Sequence, residues 1–111
     1  MYEMSKNILD CYISGLQYYD AYKIMTILKV GAELDLRNEL DNPYDCEAVA
    51  VYYGDIKLGY IPREVNGLIT KLLYFNYADI FECYVVNINE NESLNSGRKI
   101  EIAIKLIDDR I

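Results

Sequence analysis

Residue types able to do covalent chemistry are scarce in this chain. None of its 111 residues is histidine. That removes the commonest general base, the commonest metal ligand and every Ser-His or Cys-His nucleophile. Cys11, Cys46 and Cys83 are odd in number and form no Cys-x-x-Cys pair, so neither a disulfide framework nor a zinc site is expected. Three free thiols at buried or half-buried positions are expected instead. Asp41 and Asp45 flank a turn and come nearest to a pair of acid–base carboxylates. Aspartate at such positions more often bonds backbone amides and stabilises the turn itself. Glu90 and Glu92 lack the surrounding spacing of a metal loop. The six glycines stand singly rather than in a phosphate-binding run. No catalytic residue, cofactor or metal is therefore expected.

What is left is the chemistry of recognition, in three places. Tyr18 and Tyr19 form an adjacent aromatic pair in a loop-like stretch. Asn42-Pro43-Tyr44-Asp45 is a turn with polar side chains on both sides of a proline. Gly59-Tyr60-Ile61-Pro62-Arg63 brings a phenol and a guanidinium to the junction of a strand and a helix. A tyrosine joins a large apolar ring to a polar tip, and a guanidinium pairs well with phosphate. Taken one at a time, each has a structural explanation. Tyrosines pack in strands, Asn-Pro turns punctuate a chain, and an arginine is ordinary surface charge.

The bulk numbers narrow the setting. Eighteen acidic against eleven basic side chains give a net charge of −7, a poor long-range attractor for nucleic acid. Charges more than about 8 Å apart across physiological salt are largely screened, so a local basic group still counts. The apolar fraction of 52% supplies a core for one domain spanning residues 1–111. The longest apolar runs are a few residues, such as Ile102-Ala103-Ile104, against the roughly 20 that a membrane span needs. The stretch after Met1 lacks a basic start followed by an apolar segment, so no signal peptide is expected. A cytoplasmic protein with no membrane partner follows.

The elements that must position these residues read as follows. Residues 1–9 show little pattern and predict a loose lead-in. Asp10 to Ser14 predicts a short strand ended by Gly15. Asp20 is placed to cap a helix whose stripe is Ala21, Ile24, Met25 and Leu28, with Gly31 as its stop. Ala32 to Glu39 alternates and predicts a half-exposed strand. Ala48 to Tyr53 and Lys57 to Ile61 predict a hairpin joined at Gly54-Asp55. Pro62 then suits the first turn of a helix with Val65, Leu68, Ile69, Leu72 and Leu73 on one face, and Asn66, Gly67, Thr70 and Lys71 on the other. Residues 79–89 predict a long strand, 89–97 a mobile polar loop, and 98–107 a last strand with Ile100, Ile102, Ile104 and Leu106 inward. Five or six short strands and one main amphipathic helix make a mainly β (α+β) fold. A chain this small covers its edges best by curling into a small, partly open β-barrel of the OB or SH3 kind.

Order and combination add something the separate features lack. Leu16-Gln17-Tyr18-Tyr19, Gly31-Ala32-Glu33-Leu34-Asp35-Leu36, Asn42-Pro43-Tyr44-Asp45-Cys46-Glu47-Ala48-Val49-Ala50-Val51, Leu58-Gly59-Tyr60-Ile61-Pro62-Arg63 and Asn66 occur in sequence. Together they resemble the HIRAN domain, most strongly between Gly15 and Leu73. The resemblance implies a modified OB-type barrel that binds single-stranded DNA at a free 3′-hydroxyl end and performs no catalysis. It implies that Tyr18 and Tyr19 stack on or line the terminal nucleotides, and that Asn42, Tyr44 and Asp45 form the turn that meets them. Asp45 would accept from the 3′-hydroxyl, and Arg63 would pair with backbone phosphate. Tyr60 stands where a DNA-binding member carries histidine, and Gln17 where it carries arginine, so two cations are replaced by neutral groups. A separate helicase or nuclease is implied as a further partner. The acidic charge keeps a second expectation open, a protein-interaction or scaffold module on the same barrel.

Overall fold

The structure is a computed structural model that describes residues 5–15, 27–75, 80–90 and 98–107. Among these, six strands form one antiparallel sheet: β1 (Ser5–Tyr12), β2 (Glu33–Asn38), β3 (Val49–Tyr53), β4 (Ile56–Tyr60), β5 (Phe81–Glu90) and β6 (Arg98–Ile107). A 3₁₀ turn (Arg63–Val65) and helix α1 (Gly67–Tyr74) follow β4. The strand order is β1-β6-β5-β2-β3-β4. The predicted hairpin is β3 and β4, turned at Gly54, whose φ of +60° lies in the left-handed region.

The two edges of this sheet come together. Ser14, just beyond β1, pairs with Tyr60 at the end of β4. They exchange both backbone hydrogen bonds, Ser14 N–H to Tyr60 C=O at 2.8 Å and Tyr60 N–H to Ser14 C=O at 2.9 Å. The sheet is thus curled, with its edges joined at a point. The fold is mainly β, of the small OB-like barrel type, with one α-helix among the described residues. Gly59 makes the junction sterically possible. A Cβ there would lie 2.3 Å from the Ser14 carbonyl oxygen and 2.7 Å from an Ile13 methyl, so any side chain would force the two backbones apart.

The core follows the alternation of the strands. Ile100, Ile102 and Ile104 of β6, Val49 and Val51 of β3, and Leu58 of β4 are wholly buried. They pack with Leu34, Val85, Ile69 and Leu73 in a single cluster. Leu28 is also buried in it, but residues 27–30 are turn and irregular chain rather than the predicted helix, and residues 20–26 of that helix lie outside the described residues.

Four expectations need correction. Residues 5–9 belong to β1 and pair with β6 rather than forming a lead-in. A register shift between Asn7 and Leu9 makes Ile8 an extra residue, and a bulge of this kind breaks the two-residue period that would reveal a strand. β5 starts two residues later than predicted and reaches Glu90, and residues 91–97 of the expected loop lie outside the described residues. The helix is broken after Val65 and its buried face is turned. Asn66, Ile69, Thr70 and Leu73 face inward, whereas Val65 and Leu68 are exposed. The cause is Asn66, whose amide reaches inward to Asp45 and fixes the rotation of the helix. Finally, Cys46 is exposed, while Cys11 is half-buried and Cys83 buried. Burial pushes the Cys11 thiol up to about 11 and the Cys83 thiol up to about 12. No helix among the described residues is long and apolar enough to cross a membrane.

Candidate nucleic-acid interface

The segment between β2 and β3 is held by its own side chains. Asn42 Oδ1 accepts from the backbone N–H of Tyr44 (2.8 Å) and of Asp45 (3.1 Å). Asp45 Oδ1 accepts from Glu47 N–H at 2.9 Å. Two successive side-chain-to-backbone turns therefore wind the chain around Pro43, which is why Asn and Asp stand at these positions. The second oxygen of Asp45 accepts from Asn66 Nδ2 at 3.0 Å, tying the turn to the start of α1. Arg63 Nε stands 4.0 Å from the same oxygen. Its side chain is 75% exposed, so this pair contributes little to stability and leaves the guanidinium available.

β4 faces the turn with a second network. Tyr60 Oη donates to Glu39 Oε1 (2.7 Å) and accepts from Lys57 Nζ (2.7 Å). Lys57 also donates to Glu39 Oε2 at 2.7 Å, and Asn42 Nδ2 donates to Glu39 Oε1 and more weakly to Tyr60 Oη. Partial burial pulls the Glu39 carboxyl up, but the bonds from Lys57, Tyr60 and Asn42 outweigh it and hold its pKa below the usual 4.5. Burial likewise pulls Lys57 down, and Glu39 and Tyr60 outweigh it, so the ammonium is held above its usual 10.5. The Tyr60 hydroxyl proton is therefore given to Glu39, not offered to a phosphate.

Turn and strand border an open cavity of about 620 Å³, a size typical of sites that take a small molecule or a terminal group. Five expected site residues, Asn42, Tyr44, Asp45, Tyr60 and Arg63, line it together with Ser14, Glu39, Asp41 and Ala48. Tyr18 and Tyr19 lie outside the described residues. The ring of Tyr44 is 87% exposed at the rim. The described charged residues lining the cavity are three carboxylates, Glu39, Asp41 and Asp45, and one guanidinium, Arg63. The site thus offers hydrogen-bond acceptors inside and a cation and an aromatic face at its mouth. No group of three or more His, Cys, Asp or Glu among the described residues could hold a metal ion.

Sequence reasoning missed Glu39, Lys57 and the inward role of Asn66. Lys57 and Tyr60 are three apart, which on a regular strand means opposite faces. The register explains why they meet. Tyr60 pairs with Ala50 and Lys57 with Tyr52, with a shift between them that makes Leu58 an extra residue. Ala50 and Tyr52 share a face, so their partners do too. Gly59, alone inside a strand pattern beside Leu58, was the available signal of that bulge, and Asn66 carried another: a polar residue next to an apolar stripe.

A small mainly β barrel whose end cavity is walled by an Asx-type turn and a strand–helix junction defines the class. A family model, the HIRAN domain, matches residues 6–105, and the chain belongs to that family of DNA-binding domains. It is similar in fold to a protein from Lactobacillus plantarum, with a TM-score of 0.65 at 22% identity, over 92% of this chain and 96% of that one. It is also similar to the HIRAN domain of human HLTF, with a TM-score of 0.62 at 17% identity, over 95% of this chain and 78% of that one. No curated protein matches it.

Proposed function

We propose that the chain is a DNA-binding module that receives the 3′-hydroxyl end of single-stranded DNA, in repair or replication and alongside a separate helicase or nuclease. The observation that carries this reading is the Asp45 carboxylate in the cavity wall. Asn66 and the Glu47 amide hold it in place, and a carboxylate has about four acceptor sites, so capacity remains for a hydroxyl donor. Acidic neighbours Glu39 and Asp41 favour that donor and repel a terminal phosphate. Arg63 at the rim takes the first backbone phosphate, and the exposed Tyr44 ring gives a base a face to stack on. Tyr18 and Tyr19 supply the second aromatic surface in this reading.

Fluorescence anisotropy with otherwise identical oligonucleotides ending in 3′-hydroxyl or 3′-phosphate tests it. A hydrogen bond to a charged group contributes about 1.5–3 kcal/mol, so the hydroxyl end should bind at least about tenfold tighter. Asp45→Asn should erase the difference. Equal and very weak binding of both ends at low salt would sink the reading. A protein-interaction module then takes its place. The observation on its side is a groove beyond the turn where the exposed side chains of Leu40, Tyr74 and Phe75 meet.

A further inference from the structure

The cavity opens onto the outer face of β2, β3 and β4, and that face is built as a platform. Cross-strand register places Arg37, Ala50 and Tyr60 in one row and Asp35, Tyr52 and Lys57 in the next. One cation–ring stack, Arg37 on Tyr52, stands there beside the hydrogen bond from Lys57 to the Tyr60 hydroxyl. The Arg37 guanidinium lies 4.0 Å from the centre of the Tyr52 ring, and Lys57 Nζ lies 4.5 Å from that of Tyr60. Ala50, between them, has no exposed surface, so the floor is low and closed by its neighbours. Tyr60 belongs to both places, since it also lines the cavity.

The geometry points to a further nucleotide subsite on this face, in which the Arg37–Tyr52 stack receives the phosphate and base that follow 5′ of the terminal dinucleotide. The inference rests on the end-binding reading above and extends it along the strand. Adjacent strands are about 4.8 Å apart, which puts Arg37 two strands and about 10 Å from Tyr60. A chain leaving the cavity past Tyr60 therefore meets Arg37 within its next nucleotides. Arg37 is held for the task. Its Nη2 donates to the Gly54 carbonyl at 3.1 Å, while the Asp35 carboxylate stands 3.9 Å away, with the Arg37 and Asp35 side chains 47% and 67% exposed. That ion pair is too exposed and too long to compete strongly with a phosphate. A guanidinium has five N–H donors, so the bond to Gly54 does not exhaust it. Aromatic faces interleaved with cations are what single-strand tracks use, because every base has a face to stack and every link has a phosphate. In a chain of net charge −7, the guanidiniums of Arg37 and Arg63 are the positive groups that the described residues offer along this path, since the Lys57 ammonium is paired with Glu39.

The test uses the full chain with thymidine dinucleotide and hexanucleotide, both ending in 3′-hydroxyl, titrated over a range of salt. The hexanucleotide is expected to bind about tenfold tighter than the dinucleotide. Arg37→Gln should remove most of that gain, lower the salt slope for the hexanucleotide by about 0.7 and leave the dinucleotide unaffected. Arg63→Gln should weaken both. If the dinucleotide binds and the hexanucleotide is no tighter, or if Arg37→Gln weakens both equally or neither, the subsite is overturned while end binding stands. If neither oligonucleotide binds the unaltered protein, the end-binding reading fails and takes the subsite with it.

Discussion

β5 and β6 are ten residues each and pair along almost their whole length. β2, β3 and β4 are five or six residues each. The long pair supplies Ile100, Ile102, Ile104, Cys83 and Val85 to the core, while the short strands and the segments flanking them supply nearly every residue of the cavity. The difference shows how a small barrel separates holding from binding. Long pairing around a β-branched stripe, interrupted by one bulge at Val86, gives stability that tolerates polar chemistry elsewhere. Short strands, a bulge at Leu58 and side-chain-bonded turns then set polar groups at angles a regular sheet cannot provide. The two halves should therefore respond differently to substitution.

The largest effect belongs to the long half. Ile102 is fully buried on β6, between Cys11 on one side and Val85 on the other. Truncating such a side chain costs about 2–5 kcal/mol through lost burial and the cavity left behind, out of a typical total of about 5–15 kcal/mol. Ile102→Ala should shift the denaturant midpoint accordingly, while DNA-end binding measured below the transition stays unchanged. A matching loss of affinity in the folded variant would erase the distinction between the halves.

Gly59→Ala is the next test, and it acts where the halves join. The new methyl would overlap the Ser14 carbonyl. Overpacking costs about 1–3 kcal/mol, and losing the two bonds between Ser14 and Tyr60 adds about 1 kcal/mol each. Unlike Ile102→Ala, this substitution should lower both the melting temperature and the affinity for DNA ends, because Ser14 and Tyr60 both line the cavity. Retained affinity at the lower stability would show that the edge junction does not shape the site.

The contrast also governs what could be read in advance. β6 was legible because Ile100, Ile102, Ile104 and Leu106 keep strict alternation, and the β3–β4 hairpin because Gly54 marks its turn. The Asn42–Asp45 turn was legible because its bonds are local, within three residues. The start of β1 was hidden by its bulge, and the helix face was misread because burial there is decided by an amide–carboxylate bond 21 residues apart in sequence. The Glu39–Lys57–Tyr60 network was illegible for both reasons at once. It spans distant segments, and the bulge at Leu58 sets Lys57 on the face that simple alternation denies it.

Tyr44→Ala should show the reverse signature of Ile102→Ala. The side chain is almost entirely in solvent, and its backbone N–H, not its ring, makes the turn bond to Asn42. Stability should stay within about 0.5 kcal/mol, while loss of a stacking face should weaken oligonucleotide binding by about 1–3 kcal/mol. Anisotropy and thermal melting on the same sample separate the two. Unchanged affinity would remove Tyr44 from the interface.

The smallest effect concerns how the polar half is held, and pH reads it. Glu39 has a folded pKa below its ordinary 4.5, so its contribution to stability is present above that value and is lost as pH falls through the folded pKa. Lys57 has a folded pKa above its ordinary 10.5, so its contribution is fully present below that value and is lost as pH rises through the folded one. Glu39→Gln removes the anion both depend on and should cost about 1 kcal/mol at neutral pH. The stability gap between the two proteins should hold level between the two ordinary values. It should close in acid as Glu39 takes up a proton, and in strong alkali as Lys57 gives one up. Chemical denaturation across that range measures it. A gap that stays open in acid would mean that shape rather than charge fixes Glu39. A gap of zero throughout would leave the Asn42–Glu47 turn and its bond to Asn66 to hold the cavity wall alone.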